Sequence, residues 1–354
     1  MRELPEPTDG EIHDVVIAGS GVAGLSAAVY AARADLDPLV LEGAEPGGQL
    51  TLTTDVENYL GFPDGVGGME LVQRGKAQAE RFGAGFVRAG IDAATLDSRP
   101  FELELSSGET LETRSLVVAT GASARWVGAT GEDELMGYGL STCATCDGAF
   151  HRGNDVLVIG GGDSAMEEAL FLAKFADAVT VVHRRDELRA SEIMARRVRD
   201  HDAIEIAWNT ELVSLHGSPE TGLTGATLVS HPDGRPRDRL AAGDTVEHET
   251  VDVQGVFYAV GHVPNTDFLR DTPVELDDDG HLRTRDGTAT VVPGVFGAGD
   301  VVDSHYRQAI TAAGTGAMAG LDAADWLDSR AHEADASEAR SANPQLAEST
   351  ETTS

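Results

Sequence analysis

Residues 14–42, after the acidic N-terminus, follow a strand, turn and helix pattern. The apolar run that follows Asp14 predicts a buried strand, and it leads into a glycine turn at 19–24. An alanine-rich helix over Leu25–Ala34 follows, and Leu39–Leu41 predicts a second strand that ends before Glu42. Apolar runs of this kind are typical of parallel sheets that are covered on both faces. The pattern therefore predicts one complete βαβ unit.

The same pattern recurs 141 positions downstream, from Gly19 to Gly160 and from Glu42 to His183. The strand 155–159 precedes a glycine turn at 160–165, a helix over 166–175 and a strand over 179–182. A single glycine fingerprint is weak evidence, because tight turns between packed elements also use glycine. Two fingerprints in the same context and at matched spacing predict two dinucleotide-binding domains with Rossmann-like α/β folds.

Further apolar runs that end in glycine, at 115–121 and 255–261, flank the second unit, and glycine motifs resume from Gly294. This order predicts that the second domain is inserted in the first. With 354 residues, the chain is long enough for two domains of ordinary size. We predict an N-terminal extension over 1–13, a discontinuous first domain over 14–124 and 255–329, an inserted domain over 125–254, and a disordered tail over 330–354.

The residue at the end of the second strand distinguishes the two nucleotide sites. Glu42 would accept hydrogen bonds from ribose hydroxyls and repel a 2′-phosphate, which suits FAD or an unphosphorylated nucleotide. The equivalent stretch of the second copy holds His183, Arg184 and Arg185, followed by Arg189. Guanidinium groups bind phosphate through charge-assisted hydrogen bonds, so the second site predicts NADPH. A solvated basic strand end is the alternative interpretation.

Charge excludes several classes of partner. The chain carries 60 Asp and Glu against 26 Lys and Arg, a formal charge of −34, and this field would repel nucleic acid and anionic membranes. The only lysines are Lys76 and Lys174. Such an acidic excess suggests a salt-rich cytoplasm, where charge is screened over about 3 Å at 1 M salt. An ordinary acidic cytosolic enzyme is the alternative. Residues 1–14 lack the basic and apolar regions of a signal peptide, which predicts a cytoplasmic protein.

Cys143 and Cys146 are the only cysteines, so the sequence predicts neither a disulfide framework nor a zinc site. Their CxxC spacing predicts a redox pair, in which one thiolate attacks a disulfide and its neighbour resolves the mixed disulfide. Asp147 follows directly, either as a proton donor and acceptor or as a turn residue. His151 could also move protons, although we expect it to be exposed.

Ten motifs follow one another in a fixed order, at 19–24, 47–50, 56–58, 119–125, 143–148, 160–165, 183–186, 259–262, 297–300 and 306–309. By these motifs the chain resembles the low-molecular-weight thioredoxin reductases from position 14 to about 329. The resemblance implies a flavoprotein homodimer of the three-layer ββα FAD/NAD(P)-binding type, with the NADPH domain inserted in the FAD domain. It also implies thioredoxin or a thioredoxin-like protein as partner.

Site residues follow from the resemblance and the glycine turns together. The FAD set is Gly19, Gly21, Gly24, Glu42, Gln49, Asn58, Asp300, Arg307, Gln308 and Ala309. The NADPH set is Gly160, Gly162, Ser164, Ala165, His183, Arg184, Arg185 and Arg189. The catalytic set is Cys143, Cys146 and Asp147. In the family the second cysteine faces the flavin and the first attacks the partner, and a domain rotation presents cysteines and nicotinamide in turn. The implied hinges lie at 121–126 and 253–261.

One position departs from the family pattern. Asp163 places an acidic side chain beside the expected pyrophosphate site, and we expect it to cap the helix that follows. Two other functions remain open. A ferredoxin–NADP reductase-like flavoenzyme would share both nucleotide sites but would not need the two cysteines. A nucleotide-binding redox sensor would use the same residues without turnover.

Overall fold

The computed structural model describes residues 12–52 and 55–342. The strands are β1 (Ile12–Ala18), β2 (Leu39–Leu41), β3 (Gly85–Val87), β4 (Ile91–Thr95), β5 (Phe101–Leu105), β6 (Thr110–Val118), β7 (Ala122–Ala124), β8 (Leu140–Ser141), β9 (Asp155–Gly160), β10 (Ala178–His183), β11 (Ile204–Trp208), β12 (Thr210–Ser218), β13 (Gly222–Ser230), β14 (Glu247–Val251), β15 (Gly255–Ala259), β16 (His262–Pro264) and β17 (Val295–Gly297). The helices are α1 (Val22–Arg33), α2 (Gly68–Phe82), α3 (Glu132–Leu135), α4 (Ala144–Asp147), α5 (Asp163–Leu172), α6 (Glu192–Arg199), α7 (Pro236–Ala242) and α8 (Ala309–Ala342).

These elements form two compact units. Among the described residues, the first unit comprises 12–51, 69–122 and 264–342, and the second comprises 52, 55–68 and 123–263. No helix in the described part of the chain combines the length and the apolar character that a membrane crossing needs.

A seven-stranded sheet organises the first unit, in the order β3-β2-β1-β6-β5-β4 with β17 also paired to β6. The strands from β3 to β6 in this order pair in parallel, whereas β5 pairs antiparallel with β6 and with β4. Alternate residues of β1 enter different cores. Val15 and Ile17 pack with α1 and α8, while Val16 and Ala18 pack with the β5 side chains. Both faces of β1 are therefore covered, as its unbroken apolar run predicted.

Glycines allow α8 to lie directly on α1. A Cβ at Gly316 would lie 2.1 Å from the carbonyl oxygen of Ala23, and one at Gly320 would lie 2.5 Å from that of Ala27. Any larger side chain at these positions would force the two helices apart. The contact fixes α1, the helix that follows the first glycine turn, against α8.

The second unit contains a parallel sheet of five strands, β11-β10-β9-β15-β8, and an antiparallel sheet of three, β12-β13-β14. Side chains of α5 and α6 cover one face of the parallel sheet, including Ala165, Met166 and Ala195. Leu212, Leu228 and neighbouring residues of the antiparallel sheet enter the core on its other face. This arrangement is again a Rossmann-like layer structure.

The predicted βαβ units are both present, but the domain boundaries differ from prediction at the return. The chain leaves the first unit at 122/123, close to the predicted 124/125, and returns at 263/264 rather than 254/255. The reason is that β15 pairs with β9 and β8 and is a central strand of the second unit. The implied hinge at 253–261 is therefore occupied by sheet, and residues 55–68 group with the second unit.

The C-terminal region also differs from prediction. Helix α8 continues to Ala342, where a disordered tail was predicted from 330. The alanine, glutamate and arginine content of this stretch explains the difference, because these residues have high helix propensity. Residues 343–354 of the predicted tail, and most of the predicted extension over 1–13, lie outside the described residues.

Candidate functional site

The glycines of the first turn have different structural roles. Gly19 has a φ of +108°, and a Cβ there would lie 2.3 Å from the carbonyl oxygen of Ala119. A Cβ at Gly24 would lie 1.9 Å from the carbonyl oxygen of Gly19 itself. At Gly21 the nearest atom is 3.9 Å away. The outer two glycines therefore permit the turn and its packing, and the middle one leaves room above the N-terminus of α1.

Glu42 lies at the end of β2, where the ribose-reading residue was predicted. Its Oε1 accepts a hydrogen bond from Lys76 Nζ at 2.6 Å, and the glutamate side chain is 12% exposed. The Lys76 ammonium group also lies 4.6 Å from the centre of the Phe86 ring. Glu42 and Lys76 line a cleft of about 130 Å³ together with Ser20, Gly47 and Gln73. One carboxylate oxygen of Glu42 is thus bound to the Lys76 ammonium group at the edge of this cleft.

Two further segments lie against the same turn. The Gly47 N–H donates to Ser20 Oγ at 2.9 Å, which ties the stretch before Gln49 to the turn. A Cβ at Gly299 would lie 2.8 Å from the Cβ of Ala23, so the short helix that contains Asp300 packs on the first turn of α1. The first unit therefore brings the predicted residues Gln49 and Asp300 to the glycine turn.

The residues from Asp300 to the start of α8 form a connected polar segment. Asp303 accepts hydrogen bonds through its carboxylate from the N–H groups of Tyr306 and Arg307. Burial, with the nearby charge of Asp303, raises the pKa of Asp300 to about 6, although the Arg307 guanidinium acts to lower it. Gln308 and Ala309 complete the segment at the N-terminus of α8.

These features fit the cofactor predicted for the first site. An open N-terminus of α1 suits a pyrophosphate, and a carboxylate at the end of β2 suits ribose hydroxyls. Gln49, Asp300, Arg307, Gln308 and Ala309 belong to the same unit and could hold the remainder of FAD. Asn58 is an exposed residue of the second unit. Its FAD contact stays a prediction.

The second glycine turn has the same arrangement, with close packing at its outer positions and open space at its middle glycine. A Cβ at Gly160 would lie 2.5 Å from the carbonyl oxygen of Ala259 and 2.8 Å from the Cβ of Ala165. At Gly162, which caps the N-terminus of α5, a Cβ would meet nothing within 4 Å. Ala165 is fully buried and takes the packing position of the third glycine. Ser164 is exposed in the first turn of α5, beside the open space.

The ring of His183 supports the turn from beneath, and its contact with NADPH stays a prediction. The ring is 5% exposed, with Nδ1 3.0 Å from the carbonyl oxygen of Gly160 and Nε2 2.9 Å from that of Glu187. A Cβ at Gly161 would lie 2.2 Å from the ring. Burial is the main cause that lowers the pKa of His183, and the charges of Arg185 and Arg184 act in the same direction.

The predicted phosphate-binding arginines follow His183 in a loop that returns to the glycine turn. The N–H of Arg189 donates to the carbonyl oxygen of Gly161 at 2.8 Å. Arg184 and Arg189 are exposed and Arg185 is half-buried. Within residues 12–52 and 55–342, none of the three takes part in a salt bridge. Three cationic groups beside an open helix N-terminus fit a nucleotide with a 2′-phosphate.

Asp163 does not cap α5, contrary to expectation. It is the first residue of the helix, and its Oδ1 accepts hydrogen bonds from the N–H and the hydroxyl of Ser191, both at 2.8 Å. Ser191 is the residue before α6. The aspartate therefore links the starts of two helices.

Cys143 and Cys146 form a disulfide at the start of α4. Ala144, between them, is 1% exposed and belongs to the same core as Ala165 and Met166 of α5. Cys143 Sγ lies 3.4 Å from the Thr145 hydroxyl oxygen. The redox pair is thus anchored to the helix that begins at the second glycine turn, and the two sites belong to one unit.

Asp147 is half-buried at the end of α4, directly after Cys146. Burial raises the pKa of its carboxyl, and a hydrogen bond from the Ser141 side chain lowers it in part. A carboxyl with a raised pKa exchanges protons closer to neutral pH, as general acid/base chemistry requires. This observation favours the catalytic interpretation of Asp147 over that of a simple turn residue.

His151 is buried, contrary to the expectation that it would be exposed. It is 8% exposed, its ring meets Phe257 edge-on at 5.2 Å, and a Cβ at Gly255 would lie 2.6 Å from its Nδ1. The ring therefore fills space between β15 and the loop after α4. Burial lowers the pKa of His151.

Sequence reasoning missed two residues of these sites. Lys76 is one of only two lysines in the chain, and this rarity was the signal that could have singled it out. Ser141 gave no signal, because its hydroxyl meets the Cys143 N–H only once the loop has folded. Among the described residues, no group of three or more His, Cys, Asp or Glu side chains could hold a metal ion.

Comparisons with known proteins agree with this geometry. The family model for pyridine nucleotide-disulphide oxidoreductases matches residues 13–316. A thioredoxin reductase of Mycolicibacterium smegmatis is 48% identical over 321 residues, which cover 90% of this chain and 98% of the relative. A bifunctional thioredoxin reductase/thioredoxin of Mycobacterium leprae is 47% identical over 317 residues, 89% of this chain and 66% of that protein. The structure of thioredoxin reductase from Giardia duodenalis superposes with a TM-score of 0.81 at 37% identity, covering 90% of this chain and all of the other.

These findings confirm the predicted α/β fold class with two Rossmann-like domains, the predicted class of disulfide reductase, and FAD and NADPH as cofactors. The match over most of the chain, with the two glycine turns and the disulfide between them, shows that the chain belongs to the pyridine nucleotide-disulphide oxidoreductase family and is similar to its low-molecular-weight thioredoxin reductases.

Proposed function

We propose that the chain passes electrons from NADPH, through FAD and the Cys143–Cys146 disulfide, to the disulfide of thioredoxin or a small thioredoxin-like protein. The observation that carries the proposal is the redox pair itself, held by the buried Ala144 against α5 and followed directly by Asp147. A ferredoxin–NADP reductase-like enzyme would not need such a pair. The fusion of a thioredoxin to the related protein from Mycobacterium leprae supports thioredoxin as partner.

Residues of the two glycine turns bind and orient the cofactors. Gly19, Gly21 and Gly24 admit the FAD pyrophosphate at α1, Glu42 accepts the ribose hydroxyls, and FAD when bound relays two electrons between NADPH and the disulfide. At the second site, Gly160, Gly162, Ser164 and Ala165 shape the turn. Arg184, Arg185 and Arg189 bind the 2′-phosphate that distinguishes NADPH from NADH.

The cysteines and Asp147 carry the exchange with the partner. Two electrons and two protons convert the Cys143–Cys146 disulfide into two thiols. The Cys143 thiolate attacks the partner disulfide and forms a mixed disulfide, with one partner sulfur leaving as a thiolate that takes up a proton. Cys146 then attacks Cys143, which restores the internal disulfide and releases the reduced partner. Asp147 donates a proton to Cys146 when the disulfide is reduced, and accepts it again when Cys146 attacks Cys143.

The assembly and location follow from the family resemblance. We expect a homodimer, and light scattering of the purified protein measures its mass directly. We expect a cytoplasmic location, where NADPH is available and where disulfides are as a rule transient and catalytic. The predicted adaptation to a salt-rich cytoplasm stays a prediction, tested by activity as a function of KCl concentration.

The decisive experiment is an anaerobic titration of the purified yellow protein with NADPH, followed by oxidised thioredoxin under multiple-turnover conditions. We expect flavin bleaching by NADPH, reoxidation by thioredoxin, and many turnovers per enzyme. Cys143→Ser together with Cys146→Ser should keep the flavin and lose thioredoxin reduction. Ala149→Ser, at an exposed position of the same loop, is the matched control and should keep both.

Each alternative has its own signature in this experiment. Thioredoxin reduction by the double serine variant would refute the role of the redox pair and favour a ferredoxin reductase-like enzyme. A single reduction event without turnover would favour a redox sensor.

A further inference from the structure

We propose that Thr315 is a positioning residue for FAD, whose hydroxyl holds the backbone of Gly299 to α8 and thereby fixes Asp300 relative to the first glycine turn. The proposal rests on the function proposed above, because it takes FAD as the cofactor of the first unit, and it extends that function to a residue outside the ten motifs. All of the groups involved belong to the first unit.

Gly299, the residue before Asp300, occupies a tight position between two helices. Its φ is +75°, in the left-handed region that favours glycine. A Cβ at this position would lie 2.8 Å from the Cβ of Ala23 on α1 and 3.7 Å from the Cβ of Ala312 on α8. Gly299 is also buried. The backbone in front of Asp300 therefore has little room, and its position depends on the hydrogen bonds that it makes.

The Gly299 N–H makes its hydrogen bond to Thr315, on α8. It donates to Thr315 Oγ1 at 2.9 Å. The Thr315 hydroxyl can donate its own proton one turn back along α8, where the carbonyl oxygens of Thr311 and Ala312 both lie at 3.1 Å. A hydroxyl accepts and donates at once, whereas the valine side chain, of nearly the same shape, can do neither. Valine at 315 would therefore leave a buried N–H without its acceptor.

Thr315 is itself fixed relative to α1. The next residue, Gly316, makes the close contact in which a Cβ would lie 2.1 Å from the carbonyl oxygen of Ala23. Ala23 is thus packed against Gly316 and Gly299 together, in the first turn of α1. Because the N-terminus of α1 suits the FAD pyrophosphate, the Thr315 bond keeps Asp300 at a constant position relative to that end of the cofactor site.

A second threonine of α8 supports the other FAD segment in a similar way. The Gln308 N–H donates to Thr311 Oγ1 at 3.4 Å, and the Thr311 hydroxyl donates to the carbonyl oxygen of Gln308 at 2.9 Å. Thr311 and Thr315 are four residues apart and therefore lie on one face of the helix. The Thr311 bonds remain at the start of α8, whereas the Thr315 bond reaches a separate segment of the chain. Thr315 is therefore the residue that joins Asp300 to the helix.

The test measures the Kd for FAD by dilution of the FAD-bound protein, with the fluorescence of the released flavin as signal. We expect Thr315→Val to raise the Kd about tenfold, because the Gly299 N–H loses its acceptor and Asp300 is no longer held in place. Thr315→Ser keeps the hydroxyl and should keep a Kd close to that of the wild type. Thr315→Val combined with Asp300→Asn should raise the Kd by less than the product of the two single effects, because both changes act through one contact.

Thr290→Val is the matched control. Thr290 is 8% exposed, and its hydroxyl accepts a hydrogen bond from the Val292 N–H at 3.1 Å. The substitution removes the same kind of bond from the same unit, outside the predicted FAD residues. It should lower the denaturant midpoint of the protein and leave the Kd for FAD unchanged.

Three results would overturn the proposal: an equal rise in Kd for Thr290→Val and Thr315→Val, no recovery of the Kd in Thr315→Ser, or effects of Thr315→Val and Asp300→Asn that multiply in full. If Thr315→Val does not fold, Thr315→Ala removes the same hydroxyl and is judged by the same comparisons. A wild-type protein that binds FAD and does not reduce thioredoxin would refute the proposed function, and the Kd comparisons would still decide the role of Thr315.

Discussion

Replacing Arg184 and Arg185 by alanine tests whether the second site selects NADPH by its 2′-phosphate. A charge-assisted hydrogen bond contributes about 1.5–3 kcal/mol. Arg184 is exposed and Arg185 is half-buried, so water screens both and the lower end of this range applies. Two such bonds together amount to about 3 kcal/mol, which corresponds to roughly a 150-fold loss in affinity. NADH lacks the phosphate and should lose little.

The assay is steady-state kcat/KM with NADPH and with NADH at a fixed thioredoxin concentration. Any lost cation in a chain of charge −34 also slows the approach of an anionic nucleotide, so a control for this general effect is needed. Arg197→Ala serves, because Arg197 is an exposed residue of α6 outside the predicted site. Equal losses with NADPH and NADH, or the same selectivity change in Arg197→Ala, would refute the assigned role of Arg184 and Arg185.

Three further predictions concern the first unit. Gly24→Ala places a Cβ 1.9 Å from the Gly19 carbonyl oxygen and should cost about 3 kcal/mol or more of unfolding free energy, whereas Gly21→Ala should leave the apoprotein stable and weaken FAD binding. Lys76→Met leaves Glu42 without its cation, and we expect the Kd of the apoprotein for FAD to rise about tenfold, with Lys76→Arg retaining most of the affinity. Because the pKa of Asp300 is raised to about 6 from 3.8, its contribution to apoprotein stability is present at low pH and lost as pH rises through 6. Asp300→Asn should therefore gain stability relative to wild type between pH 4 and 6 in denaturant titrations, and a difference that is constant with pH would contradict this.

Local pattern was enough to predict the two βαβ units. The predicted strand at Leu39–Leu41 is β2, and the predicted strand at 179–182 lies within β10, because buried parallel strands are marked by their own apolar residues. The glycine motif of the second turn could also have indicated that Ala165 takes the packing position of its third glycine. Elements whose role depends on distant pairing were not predicted.

Three differences show why. The run at 255–259 is apolar enough for either unit, and only its pairing with β9 and β8 assigns it to the second. His183 stands at the position equivalent to Glu42, yet its ring turns under the second glycine turn because Gly161 leaves space for it. The hydrogen-bond donors to Asp163 lie on Ser191, 28 residues later. None of these contacts can be inferred from the residues that are neighbours in the sequence.

The glycine contact between α1 and α8 determines the order in which the two units can fold during synthesis. Residues 22–33 leave the ribosome early, but the helix that packs on them begins at 309, after the entire inserted unit has been made. The second unit can therefore fold as a block during translation. The first unit cannot be completed until α8 has been made, so FAD should be bound only after the inserted unit has been synthesised.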